Sequence, residues 1–256
     1  MTVSLAERLA SLNEGDIFLD TDIIRAHVLP QIAASTLAVA SIYIVALRVA
    51  GNDAKQRKIC YQITNFCANL TLSMAGVYFE CWRQTKDPTP EQATQGHEEF
   101  LFMSTFQIGY QLWAIPVGLF QVNESPAMLA HHVTVVAVGS MSAFFRNGFR
   151  YWTPFFYGII EISSIPLSIM NFFKDNPKLI EKYPSVYSGL RAVFSLSFLL
   201  VRLVMFVPRH VTYLTHHYLL QSTHPLVELS ISAVAAAVLV NAYCQGYCQA
   251  AVEEGK

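Results

Sequence analysis

Residues 187–208 read YSGLRAVFSLSFLLVRLVMFVP, a run in which only Arg191 and Arg202 carry charge. A helix rises about 1.5 Å per residue, so roughly 20 residues cross a hydrocarbon core of about 30 Å. This stretch is long enough and apolar enough to do so. Working outward, six more runs of similar length and character occupy residues 31–50, 59–79, 101–121, 126–145, 151–173 and 225–248. They are continuously apolar and lack the strict alternation of a barrel strand. The expected fold class is all-α, a polytopic membrane bundle of about seven transmembrane helices.

Composition agrees. Of 256 residues, 53% are hydrophobic and 14% charged, whereas soluble domains carry about a quarter charged residues. With 17 basic and 18 acidic residues, no net field attracts a polyanion, which excludes nucleic acid as a partner. Cysteines at 60, 67, 81, 244 and 248 are odd in number and mostly lie in apolar runs. They imply no disulfide framework and act as small hydrophobes. The acids Glu7, Glu14, Asp16, Asp20 and Asp22 argue against a cleavable targeting segment. Thr21 and Asp22 are placed to cap a helix through Ile23, Ile24 and Val28, with Pro30 bending its entry into the first crossing. Lys and Arg divide evenly between the two sets of loops, and Arg48 and Arg191 tip the balance. The side holding loops 51–58 and 174–186 and the C-terminus is therefore expected to be cytosolic.

Ionisable side chains within a membrane helix cost about 2.5–3.5 kcal/mol on insertion scales, so each calls for a partner, a wet cavity or a function. The amides Asn65, Asn69, Gln107, Gln111 and Asn241 suit hydrogen bonds between helices. His131, His132, Glu161 and Arg202 are different. Counted from residues 146–150, His132 lies about 20 Å deep, Glu161 about 15 Å, and Arg202 about 9 Å from the same face. An imidazole and a carboxylate are thus expected to meet, with Arg202 as counter-ion to Glu161. A neutral buried histidine and a plain ion pair are the alternatives.

Other chemistries find little support. Later histidines stand at 210, 216, 217 and 224, without the spacing of di-iron histidine boxes, so no metal site is expected. No lysine lies in the seventh run for a retinal Schiff base, and no GxSxG, Walker or GxGxxG motif occurs.

Ala130-His131-His132-Val133-Thr134, followed by Glu161-Ile162-Ser163-Ser164-Ile165-Pro166, resembles the TLC family, which includes the ceramide synthases and their relatives. Gly109-Tyr110 resembles the family's GY motif, and Phe198-Leu199-Leu200-Val201-Arg202 its late helix with an embedded arginine. The resemblance implies a TLC-like six-helix domain over 55–248, preceded by an N-terminal segment with one extra helix (1–54) and followed by a short polar tail (249–256). Ceramide synthases follow the histidine pair with two aspartates in the next helix, where Glu161 is here the lone carboxylate. The acid that often follows GY is absent, with Trp113 and Ala114 in its place. The match is closer to the non-ceramide branch.

The resemblance implies a lipid-metabolism protein, most simply an acyl-CoA-dependent acyltransferase acting on a lipid amine or hydroxyl in the endoplasmic reticulum or another organelle membrane. Membrane lipids would be its partners, with a homodimer or membrane complex left open. His131, His132 and Glu161 would be catalytic, and Tyr110 and Arg202 would bind substrate. No bound cofactor is expected, acyl-CoA serving as co-substrate. The competing readings are a non-enzymatic role in lipid homeostasis or sensing, and a structural subunit of a membrane assembly.

Overall fold

The computed structural model describes residues 21–84, 88, 97–145 and 150–219, with side chains to Tyr213. The expected crossing at 225–248 and the tail 249–256 lie outside the described residues. Helices account for every regular element, with no β-strand among the described residues. α1 is Thr21–Ala50, α2 is Ala54–Tyr78, α3 is Leu101–Val117 and α4 is Pro126–Phe144. α5 is Pro154–Lys174, α6 the short Pro177–Lys182, α7 Pro184–Leu199 and α8 Phe206–Leu219. The chain is a polytopic membrane helix bundle.

Local chemistry sets the ends. α1 stops at Gly51, whose φ of 101° is open to glycine. The Asp53 carboxylate then accepts from Gln56 N at 2.8 Å to cap α2. Ser125 Oγ accepts from Met128 N at 3.3 Å, and Pro126 occupies the first turn of α4. Asn123 takes the left-handed conformation, φ 54°, that lets α3 turn tightly into α4.

Proline disturbs three helices in a common way. Its ring crowds the carbonyl four residues earlier and it offers no N–H, so the preceding turn widens or tightens. A π turn at Ile24–Val28 precedes Pro30, another at Leu200–Met205 precedes Pro208, and a 3-10 turn at Ile159–Ser163 precedes Pro166. The expected bend at Pro30 is thus a wide turn within one continuous helix. The sixth crossing is likewise longer than 187–208, running from Pro184 through Leu219 across its π turn.

Four helices among the described residues are long and apolar enough to cross a membrane: Thr21–Ala50, Pro126–Phe144, Pro154–Lys174 and Pro184–Tyr213. The expected crossings at 59–79 and 101–121 are helical but fall outside that class, since polar residues dilute them. In α3 these are Ser104, Thr105, Gln107 and Gln111, all buried. α3 lies between α1 and α4, while α2 packs on α1 and α5 and α7 packs on α5. α3, almost wholly buried, therefore sits inside, and α1 and α7 turn Leu37, Val45, Val193 and Leu196 outward.

The closest crossing is glycine on glycine. A Cβ on Gly76 of α2 would collide with the Gly158 backbone of α5, and one on Gly158 with Gly76. This is the small-residue contact that lets membrane helices approach. At Gly109 a Cβ would lie 2.7 Å from the Ile32 carbonyl of α1, and Thr36 Oγ1 instead donates to the Gly109 carbonyl at 3.1 Å. Gly189 on α7 faces open space. Gly76→Ala should accordingly destabilise the detergent-solubilised protein by about 1–3 kcal/mol through overpacking. Gly189→Ala should be neutral or stabilising by up to about 1 kcal/mol from helix propensity. Thermal unfolding of the two variants checks the opposite signs.

Candidate functional site

Three loops share one face of the bundle: 51–53, 123–125 and 175–183. Lys55 Nζ donates to Asn176 Oδ1 at 3.1 Å, and Arg57 Nε to the Gln121 carbonyl at 3.3 Å, tying them together. Between them lies a cavity of about 150 Å³, lined by Lys58, Tyr61, Gln62, Val122, Asn123, Glu124 and Asp175. Burial pushes the Asp175 carboxyl above its usual range, and Lys58 and Lys174 pull it partly back.

At the cavity edge three side chains from separate elements converge. Tyr61 of α2 donates its hydroxyl to Glu124 Oε2 at 2.8 Å, and His132 Nε2 of α4 lies 3.1 Å from the same oxygen. The Tyr61 hydroxyl is 3.5 Å from His132 Nε2. His132 is only 4% exposed, and its Nδ1 is buried with no hydrogen-bond partner among the described residues. Trp113 of α3 holds the cluster from behind, stacked on Tyr61 at 5.4 Å and on Tyr110 at 6.2 Å. Tyr110 donates to Asn65 Oδ1 at 3.1 Å, and Tyr43 to Gln121 Oε1 at 3.0 Å.

Tyr110 lies on α3, His131 and His132 on α4, Glu161 on α5 and Arg202 in the π turn after α7, but their contacts differ from those expected. The carboxylate beside His132 is Glu124, and the Glu161 carboxylate makes no hydrogen bond among the described residues. His131 and His132 have ring centroids 5.8 Å apart, as neighbours on one helix should. Arg202 lies within electrostatic reach of Glu161, yet no ion pair within 4 Å joins them. Instead Arg202 Nε donates to Ser163 Oγ at 3.0 Å, with a weaker contact from Nη2 to Ser164 Oγ at 3.5 Å. Both Glu161 and Arg202 stand in the irregular turns that precede Pro166 and Pro208, where depth no longer advances by a uniform 1.5 Å per residue.

Sequence reasoning missed Glu124 and Tyr61. Glu124 falls between two apolar runs and reads as a loop acid. The signal was a distance counted from the nearer end: His132 is only about 9 Å into α4 from Pro126, within reach of the residue two before it. On the opposite face Arg209 pairs with Glu80, donates to Gln84 Oε1 at 2.7 Å and lies 4.9 Å over the Trp152 ring. That cluster clamps α8 to the turn that follows α2 and the turn that precedes α5.

These contacts predict which group Arg202 depends on. A double-mutant cycle on Ser163→Ala and Arg202→Gln should give a coupling of about 0.5–3 kcal/mol, the range for side chains in contact. The cycle on Glu161→Gln and Arg202→Gln should give less. Unfolding in detergent measures both.

Comparison with curated proteins and with solved structures returns no match. The family model described as the TLC domain matches residues 55–246, which include α3 to α8, nearly all of α2, and the cluster of Tyr61, Glu124 and His132. The chain is thus an integral membrane protein that belongs to the TLC-domain family.

Proposed function

We propose that the protein is a membrane-embedded acyltransferase, moving a fatty acyl group from coenzyme A to an amine or hydroxyl of a membrane lipid. The observation that carries this reading is a buried histidine, His132, set beside a carboxylate under a polar cavity at one face of the bundle. In the reaction the acceptor's N–H or O–H gives its proton to the imidazole as its nitrogen or oxygen attacks the thioester carbonyl. The C–S bond then breaks, and the proton passes to the departing thiolate. His131 flanks His132, and Tyr110 and Arg202 line the interior where the acceptor's polar end would lie. Glu161 serves Arg202 as a nearby opposite charge rather than serving the histidines. The endoplasmic reticulum as the host membrane rests on family membership alone.

One observation favours a second reading, a lipid-binding protein without catalysis. A cavity of about 150 Å³ has the size of a head group rather than an acyl chain.

His132→Ala separates the two. On the acyltransferase reading it lowers acylated lipid product by about 10²–10⁴-fold, the usual weight of general acid–base catalysis, with expression and membrane insertion unchanged. Lipid profiling of membranes from cells carrying each form checks this. An unchanged profile contradicts the enzymatic reading.

A further inference from the structure

Glu124 and Tyr61 stand in the sequence as an acid in a turn and a tyrosine in an apolar helix, and the structure brings both to one nitrogen of His132. Glu124 Oε2 lies 2.8 Å from the Tyr61 hydroxyl and 3.1 Å from His132 Nε2. A carboxylate oxygen can only accept, so it is satisfied by two donors, Tyr61 O–H and His132 Nε2–H. The longer separation of 3.5 Å between the hydroxyl and Nε2 fits this assignment, since the hydroxyl proton points to the carboxylate and not to the ring.

We infer that Glu124 is the positioning residue of His132, holding the proton on Nε2 so that the buried Nδ1 carries the free lone pair. Nδ1 has no hydrogen-bond partner among the described residues, although the ring is 4% exposed. A buried nitrogen without a partner is normally costly, and a lone pair left free to take a proton is what a general base needs. Nε2 faces the cavity side, where Lys58, Gln62, Asn123 and Asp175 border Glu124. Tyr61 is kept in place by stacking on Trp113. The carboxylate thus holds one ring nitrogen and leaves the other buried and free. The catalytic use of Nδ1 rests on the acyl-transfer reading, whereas the protonation pattern does not.

The test is made on the full-length chain in detergent with ring-¹⁵N-labelled histidine. The His132 signals are identified by their loss in His132→Gln and their retention in His131→Gln. In the unaltered protein His132 should be protonated on Nε2, with a downfield, slowly exchanging Hε2 and an unprotonated Nδ1. Glu124→Asp should keep that signal, and Glu124→Ala should move it upfield or abolish it. A ring protonated on Nδ1 in the unaltered protein overturns the inference, whether or not any variant folds. An Hε2 signal indifferent to Glu124→Ala also overturns it. In an acylation assay Glu124→Ala should lower kcat about 100-fold or more, with little change in KM and partial rescue by Glu124→Asp. The expected ring signals in a protein without acylating activity would defeat the acyl-transfer reading alone.

Discussion

A bilayer offers no water to a polar group, and the whole arrangement follows from where this chain hides its polar groups. α3 carries Gln107 and Gln111, each 2% exposed, along with buried Ser104 and Thr105. Ser104 and Ser142 of α4 share a hydrogen bond at 2.6 Å, and Thr105 donates to Gln31 of α1 at 2.9 Å. These bonds can form only if α3 has protein on several sides. α1 and α4 flank it, and α2 is drawn against α5 by the glycine pair at 76 and 158. Apolar side chains of α1, α7 and α8 are left to face outward.

The same constraint locates the site. Once α2, α3 and α4 are packed together, Tyr61, Trp113 and His132 point into one space near the polar face, and the tight turn at Asn123 brings Glu124 down beside them. Prolines shape the other wall. Because Pro166 and Pro208 force irregular turns before them, Ser163 and Arg202 come together across α5 and the π turn after α7. Unusual turns in membrane helices often accompany function, and here one of them carries Arg202 and another the serine that takes its guanidinium.

Much of this was legible in the sequence. Long apolar runs mark membrane helices because hydrocarbon thickness fixes the length needed, and four of the expected crossings among the described residues are that long and apolar; the histidine pair, GY pair and embedded Arg202 already carried the family resemblance. Partner choice was not legible. Depth counting treats every helix as straight and regular, so it paired His132 with Glu161 across the hairpin and missed Glu124 eight residues away on the same turn-and-helix unit. It also joined Glu161 to Arg202, where two serine hydroxyls take the guanidinium instead. A side chain's azimuth around its helix depends on packing and on local turn type. Neither is written in composition or spacing.

α3, polar residues included, is the protein-covered axis of the bundle, while α1 and α7 meet lipid. A lipid-soluble carbene precursor, photoactivated in proteoliposomes and mapped by mass spectrometry of the digested chain, tests this without altering a residue. Leu37, Val45, Val193 and Leu196 should be labelled, and Met103 through Tyr110, each of which is buried, should be protected. Labelling of Met103 through Tyr110 as strong as that of α1 would contradict this arrangement.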